Sequence, residues 1–143
     1  MQKTIEMIVG GKGSEVFSIG ASDSVYKALE TMADKNVGAL VVLDEGRLVG
    51  ILSERDYARK VILLSRMSKD TRVSEIMTSD PYTVSSSATV AECMQLMTDR
   101  RIRHLPVVDD DSLTGIISIG DVVRAVIEEQ EFLIHQLESY ITG

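Results

Sequence analysis

The sequence predicts a mixed α/β fold made of two copies of one small β-α-β-β-α unit. The main observation is that the stretch Gly50–Asp56 recurs as Gly115–Asp121, with the same Gly, Ile, Ser and Asp in each copy. Each copy follows an apolar run and opens an amphipathic run, which indicates a junction between a strand and a helix. A chain of 143 residues is long enough for one ordinary core, or for two half-size units that share one.

The internal repeat covers most of the chain. From Phe17 to Lys60 the first copy aligns without a gap at an offset of 65 residues, the separation of Gly50 from Gly115. Chance would give roughly three identical pairs, whereas those present are Ser22/Ser87, Val25/Val90, Met32/Met97, Asp34/Asp99, Leu40/Leu105, Val42/Val107, Asp44/Asp109, Leu48/Leu113, Gly50/Gly115, Ile51/Ile116, Ser53/Ser118, Asp56/Asp121 and Arg59/Arg124. The period is too long for a solenoid, so the pattern indicates a duplicated small domain.

Each copy is predicted to open with a short extended segment and an amphipathic helix. The extended segments are Phe17–Ile19 and Tyr82–Val84. Apolar residues then recur at helical spacing in both copies: Val25, Ala28, Leu29 and Met32, and Val90, Cys93, Met94 and Met97. Cys93, the single cysteine, lies on this apolar stripe at the position that Ala28 occupies in repeat 1. This placement predicts a packed thiol, and a single cysteine leaves no internal disulfide.

A buried strand, a return strand and a second helix complete each copy. The apolar runs Val37–Leu43 and Ile102–Val108 are typical of buried strands. Acidic turns bring the chain back through Leu48–Leu52 and Leu113–Ile117, and the second helices begin at Ser53 and Ser118. Two such units can pack sheet against sheet with pseudo-two-fold symmetry.

The predicted domain bounds follow from these elements. Repeat 1 covers 16–66 and repeat 2 covers 72–127, with an N-terminal segment at 1–15 and a C-terminal helix extension at 128–143. Between the repeats, Ser65–Thr71 reads as a polar linker and Val73–Met77 as a short helical turn. Gly10–Ser14 lacks the P-loop spacing, so it is interpreted as a flexible loop.

The C-terminal helical pattern is longer than its counterpart in repeat 1. It runs from Asp121 to about Ile141, against about a dozen residues in the first copy. An apolar stripe that extends past its own domain needs a partner surface, so the sequence predicts a homodimer that uses this helix.

Composition excludes several classes of function. The formal net charge of −7 argues against nucleic-acid binding, which needs a positive face. No apolar run approaches the roughly 20 residues of a membrane span, and no secretory signal is recognised, so we expect a cytoplasmic protein. His104 and His135 lack partners at metal-ligand spacing. No catalytic constellation is found, so neither an enzyme nor a metal site is expected.

The repeated Ser and Asp admit two interpretations. Ser53 with Asp56, and Ser118 with Asp121, fit a capping box, in which each side chain bonds the backbone of the other residue. The same geometry suits a nucleotide, because a helix N-terminus binds phosphate and a carboxylate accepts ribose hydroxyls. Duplication would copy either feature, so the repeat does not separate them.

The strand starts differ sharply between the copies. Arg103 and His104 occupy the positions that Gly38 and Ala39 occupy in repeat 1. Two cationic donors suit a phosphate, although a solvated strand edge is the plainer alternative. If the pair binds ligand, the two sites are unequal.

Together these residues resemble the cystathionine-β-synthase (CBS) domain family, specifically a stand-alone tandem pair. The resemblance covers about residues 5–130 and is carried by Glu75–Thr78, by Arg101–Val108 and by the two Gly-x-x-Ser-x-x-Asp junctions. It implies a regulatory, non-catalytic module that binds AMP, ADP, ATP, S-adenosylmethionine or NAD-type ligands in clefts between the repeats and regulates a partner protein.

The resemblance also implies roles for particular residues. Asp56 and Asp121 would hold the ribose, and Ser53, Ser118, Arg55, Arg103 and His104 the phosphate. The adenine would lie against Ile19, Val37, Gly38, Ala39, Thr83, Val84, Ile102 and Pro106, for which plain core packing is the alternative. A second hypothesis keeps the Ser and Asp as caps only, in a ligand-free dimeric interaction scaffold.

Overall fold

A computed structural model of the chain describes residues 3–12 and 16–142. The chain divides into two compact units. Unit I is Glu15–Tyr82 and carries repeat 1, whereas unit II is Met1–Ser14 with Thr83–Gly143 and carries repeat 2. Both units mix helices with a β-sheet, which confirms the mixed α/β class. The predicted domain bounds stay a prediction.

Helices and strands follow the order expected from the repeat. The helices are α1 (Ile5–Lys12), α2 (Val25–Lys35), α3 (Glu54–Tyr57), α4 (Val73–Ile76), α5 (Val90–Arg100) and α6 (Ile119–Thr142), with a π-helix at Ala58–Ile62. The strands are β1 (Ser18–Gly20), β2 (Ala39–Asp44), β3 (Arg47–Ser53), β4 (Thr78–Ser79), β5 (His104–Asp109) and β6 (Ser112–Ser118). The predicted helical turn near Val73 and the long C-terminal helix are both confirmed.

Unit I has a four-stranded sheet in the order β1-β2-β3-β4. β1 runs parallel to β2, while β2 with β3 and β3 with β4 are antiparallel. Helix α2 begins after Ser24, whose side chain accepts a hydrogen bond from the Lys27 amide. Its apolar face, Val25, Ala28 and Met32, is buried in the core of the unit. The periodicity of the sequence therefore becomes a packed interface between helix and sheet.

Unit II repeats this design with a smaller sheet. β5 and β6 pair antiparallel, but Tyr82–Val84 forms no strand and makes only an isolated parallel bridge from Val84 to Val107. Val84 does pair with β5 there, since its amide donates to the Pro106 carbonyl at 3.1 Å and its carbonyl accepts from the Val108 amide at 2.8 Å. The predicted extended segment is therefore present but pairs over a shorter length than β1, and Pro106 explains why. In unit I the Val41 amide donates to the Phe17 carbonyl at 3.4 Å, but its counterpart Pro106 has no N–H and cannot make that bond.

The N-terminal segment is the second difference from expectation. Residues 10–12 belong to helix α1 instead of a loop, while Gly13 and Ser14 lie outside the described residues. Ile5 is fully buried in the core of unit II, and its amide donates to the Ala88 carbonyl at 2.9 Å. This packing outweighs the low helix propensity of Gly10 and Gly11.

Helix α6 contains 24 residues. Val122 and Ala125, near its start, are buried in the core of unit II. Among the helices of residues 3–12 and 16–142, none is both long enough and apolar enough to span a bilayer.

Candidate functional site

Junction I, the start of helix α3 at Ser53–Asp56, is a complete capping box. The Ser53 hydroxyl oxygen accepts a hydrogen bond from the Asp56 amide at 3.2 Å. Asp56 Oδ2 in turn accepts from the Ser53 amide and from its hydroxyl, both at 3.1 Å. The Ser and Asp thus satisfy each other and the first turn of the helix.

Junction II, Ser118–Asp121 at the start of helix α6, has the same geometry. Asp121 Oδ2 accepts from the Ser118 amide at 2.8 Å and from its hydroxyl at 2.9 Å. The Asp121 amide donates back to the Ser118 hydroxyl oxygen at 3.1 Å. The capping interpretation is therefore confirmed in both copies. It leaves nucleotide binding open, because only one carboxylate oxygen enters these contacts.

The second carboxylate oxygen has different neighbours in the two junctions. Asp56 Oδ1 lies 3.3 Å from Lys60 Nζ and accepts from the Thr78 hydroxyl at 3.5 Å. Asp121 Oδ1 lies 3.9 Å from a nitrogen of Arg124. Both carboxylates are largely enclosed, since the side chains are only 13% and 11% exposed. Lys60 therefore lies closer to its carboxylate at junction I than Arg124 does at junction II.

The strand starts that differ between the repeats lie directly beside the junctions. Ala39 pairs with Ser53 in the sheet of unit I, and His104 pairs with Ser118 in unit II. The Glu54 amide donates to the Gly38 carbonyl at 3.0 Å, and the Ile119 amide donates to the Arg103 carbonyl at 2.8 Å. In each unit the structure therefore brings the predicted strand-start pair to the predicted Ser and Asp.

Junction I has open space where junction II has a cation. A methyl group at Gly38 would come no closer than 4.0 Å to the Glu54 Cδ atom. Its counterpart Arg103 is exposed and lines an open surface pocket of about 620 Å³. The other lining residues are Ile119, Gly120, Val123, Arg124, Ile127 and Glu128. Two guanidinium groups therefore line the surface beside junction II.

The residues predicted to hold adenine divide by exposure. Ile19 is buried in the core of unit I and Val37 packs against it, while Ile102 packs against the core of unit II. Core packing is confirmed for the Ile19 side chain, whereas the Val37 and Ile102 side chains are half-buried. Ala39 and Pro106 are also buried, Gly38 and Val84 are half-buried, and Thr83 is exposed. Arg55 is exposed on the first turn of α3.

The glycine that opens each repeated motif has a steric role that sequence reasoning missed. A Cβ atom at Gly50 would lie 2.7 Å from Met77 Sδ and 2.9 Å from the Thr78 carbonyl oxygen. At Gly115 it would lie 2.9 Å from Val9 Cγ1 of helix α1. Different elements contact the two glycine positions, so the glycine shared by the two repeats has a steric role in both units.

Two cations near the junctions were also overlooked. Lys60 contacts Asp56 and donates to the Ile76 carbonyl at 3.0 Å, and Arg124 lies near Asp121. Their spacings of four and three residues from the acids were the available signal.

The remaining chemistry-bearing groups carry no site. Cys93 is fully buried, and burial raises the pKa of its thiol to about 11, which confirms the packed cysteine. Within the part of the chain that the structure describes, His, Cys, Asp and Glu side chains form no group of three or more that could hold a metal ion.

Comparison with known proteins identifies the family. The model of the CBS domain matches this chain twice, at residues 13–63 and 73–128. The chain belongs to the CBS domain family. The two matches cover the two junctions and the strand starts beside them, so the duplication is a CBS pair.

The most informative relatives agree with this assignment. The chain is 49% identical over 126 residues to the CBS domain-containing protein CBSX3, mitochondrial, of Arabidopsis thaliana, covering 85% of this chain and 61% of the relative's length. The crystal structure of the CBS domain protein NE2398 superposes with a TM-score of 0.85 at 46% identity, covering 89% of this chain and 99% of that one. The structure of a candidate signal-transduction protein with CBS domains from Burkholderia ambifaria MC40-6 superposes with a TM-score of 0.83 at 48% identity. The match covers 88% of this chain and 93% of that one.

Proposed function

We propose that this CBS pair is a regulatory module that senses adenosyl nucleotides through junctions I and II. A CBS pair is a regulatory, signal-transduction module, so the proposal concerns the ligand and its site. The observation that carries it is the twofold occurrence of an enclosed carboxylate beside a helix start, with cations near one oxygen. Such a carboxylate can accept ribose hydroxyls, and the helix start can bind phosphate.

The proposed roles are assigned to groups at or beside the two junctions. Asp56 and Asp121 hold ribose, with Ser53 and Ser118 beside them on the same first turns. Arg55, Arg103 and His104 supply charge for the phosphate, and adenine contacts come from the backbone near Ile19, Val37, Gly38, Ala39, Thr83, Val84, Ile102 and Pro106. Because Arg103 stands where Gly38 leaves open space, junction II favours the more highly phosphorylated ligand.

Regulation would follow from differential affinity. A ligand shifts a protein between two arrangements only by as much as it binds one of them better. We propose that nucleotide occupancy biases this CBS pair, acting as a homodimer, toward the arrangement that a partner protein recognises. A catalytic cofactor is not part of this proposal. A cytoplasmic location stays a prediction, because the CBSX3 relative is described as mitochondrial.

A thermal shift screen tests the proposal directly. The panel is AMP, ADP, ATP, S-adenosylmethionine, NAD and NADH, each added to the full chain. A ligand at one hundred times its Kd stabilises the folded state by about 2.7 kcal/mol, which raises the Tm of a chain of this size by about 5 °C or more. Asp121→Asn should reduce that shift. Absence of stabilisation by every member of the panel would remove the nucleotide from the proposal.

A ligand-free scaffold is the second candidate, and the complete capping boxes favour it. Both junctions satisfy their own hydrogen bonds without any ligand. On this alternative, Asp121→Ala costs about 1 kcal/mol of stability as a lost cap, and binding to a partner protein does not change. A nucleotide-dependent change in partner binding would reject the scaffold.

A further inference from the structure

The second half of helix α6 is an exposed apolar surface. Every residue from 130 to 141 is exposed, whereas Val122 and Ala125 in the first half are buried. Among the described residues, nothing buries the apolar side chains of that second half. A solitary helix of this length is marginal in water. The exposed segment therefore needs a covering surface.

The exposed apolar residues follow a coiled-coil repeat. One seam of α6 contains Val123, Ile127, Gln130, Ile134, Leu137 and Ile141, spaced alternately by four and three residues. Its five apolar members are between 48% and 80% exposed. Ile127, Ile134 and Ile141 occupy one core position of the heptad, and the other three residues occupy the second. This pattern specifies a single partner helix and fits either relative orientation.

Charge and apolar flanks decide the orientation. In an antiparallel pair centred near residue 132, Ile127 meets the partner's Leu137, and Arg124 meets the partner's Glu138 on both sides. Glu131 then lies beside the partner's Glu131, at the centre. In a parallel pair, Glu131 and Glu138 would instead flank the partner's Val126 and the partner's Leu133, without any opposite charge. Only the antiparallel pair gains ion pairs.

The residues on the other side of the seam, Val126, Leu133 and Tyr140, also favour the antiparallel pair. There the partner's Leu133 faces Leu133, and Val126 faces the partner's Tyr140. In this chain Leu133 is 49% exposed and Tyr140 is 88% exposed, so the antiparallel pair covers two apolar side chains outside the seam. The polar Gln130 meets the partner's Ile134, and a polar residue within an apolar seam restricts the register.

We propose that α6 pairs with α6 of a second copy as an antiparallel two-stranded coil, in which Arg124 binds the partner's Glu138. This rests on the proposed homodimer and adds its orientation, its register and its charged contact. The interface is isologous, so each contact occurs twice except for those on the two-fold axis. Glu131 lies near that axis and opposes association, whereas Glu138 supports it.

Two matched substitutions test this register. Glu138→Gln removes two attractive pairs per dimer and should raise the dimer Kd about fivefold, while Glu131→Gln removes one repulsive pair and should lower it about twofold. The two changes are chemically identical and lie on the same exposed helix, and sedimentation equilibrium of the full chain measures both. Equal effects of the same sign in a dimer would reject the register and leave the homodimer intact. A monomer at about 10 μM would reject both.

Disulfide trapping gives an independent reading of orientation. Cys93 can stay in place, because its buried thiol is protonated at neutral pH. Ile127→Cys combined with Leu137→Cys should form a covalent dimer under mild oxidation, since the two positions meet across the antiparallel pair. Ile127→Cys alone should remain uncrosslinked. Efficient crosslinking of that single variant would place the two helices parallel and overturn the proposal.

Discussion

The two junctions begin alike and continue differently. After Asp56, helix α3 passes directly into a π-helix that ends at Ile62. After Asp121, by contrast, helix α6 continues to Thr142. Lys60 in the first copy reaches Asp56 and the Ile76 carbonyl, but its counterpart in the second copy is the buried Ala125. Lys60, which contacts the junction residue Asp56 in unit I, is thus replaced in unit II by Ala125, which packs the long helix α6 against the core.

This difference separates what the duplication copied from what each unit acquired. The capping box is common to both junctions, so it explains Ser and Asp without reference to function. The surroundings are not common, since Gly38 faces open space while its counterpart Arg103 lines an exposed pocket. The unequal surroundings therefore indicate where the ligand specificity of each unit would lie.

Removing the extension of unit II should give the largest effect on association. A chain that ends at Glu129 makes the second helix nearly as short as the first and deletes most of the exposed seam. We expect the dimer Kd to rise at least about a hundredfold, because burial of each apolar side chain stabilises by roughly 1.5–3 kcal/mol. Sedimentation measures the Kd, and circular dichroism should show an otherwise folded protein. An unchanged dimer would contradict the role of α6.

The glycines of the repeated motif should respond unequally to the same change. Gly50→Ala forces a Cβ atom against the Thr78 carbonyl oxygen, which belongs to the backbone and cannot rotate away. Gly115→Ala meets the side chain of Val9 on helix α1, which can shift. We expect losses of about 3 and about 1.5 kcal/mol in the free energy of unfolding, within the usual cost of overpacking. Urea denaturation measures both, and equal losses would contradict the comparison.

The capping acids should also differ in their effect on stability. Asp56→Ala removes the cap and the contacts with Lys60 and Thr78, so we expect a loss of about 1.5–2 kcal/mol. Asp121→Ala removes the cap and the longer 3.9 Å contact with Arg124, so we expect about 1 kcal/mol. A larger loss from Asp121→Ala in urea denaturation would show that junction II is the more tightly held one.

The smallest expected effect is on acid stability. Hydrogen bonds from the Ser86 amide, and then from the Thr114 hydroxyl, lower the pKa of Asp109 below its ordinary value of 3.8. Its contribution to stability is therefore complete above about pH 5 and is lost as the pH falls through the lowered pKa. Asp109→Asn should flatten the fall in Tm between about pH 5 and pH 2.5. An unchanged slope in Asp109→Asn would contradict this role of Asp109.

Much of the fold could be predicted because the repeat supplies every signal twice. The periodicity of α2 and α5 and the cap positions of α3 and α6 are local features that depend on nearby residues. Helix α1 was not predicted because Gly10 and Gly11 disfavour a helix. What stabilises the helix is the packing of Ile5 against core residues of unit II that are distant in the sequence. The short pairing near Val84 could have been predicted, since Pro106 lacks the N–H that the strand needs.

The candidate site could be predicted only in part. The spacing of Ser53 and Asp56 was sufficient to predict the cap, and Lys60 lies one helical turn beyond. Thr78 could not be found this way, because its contact with Asp56 depends on strand β4 joining the sheet. Tertiary contacts therefore decide which protein groups a ligand would have to displace from Asp56 Oδ1.

Calorimetric titration tests the central claim, that the two junctions are unequal nucleotide sites. ATP and AMP are each titrated into the full chain, into Asp56→Asn and into Asp121→Asn. We predict two binding events of different affinity, with each variant losing a different event and ATP showing the larger preference for the one that requires Asp121. Two identical and independent events, or binding that survives both substitutions, would contradict it.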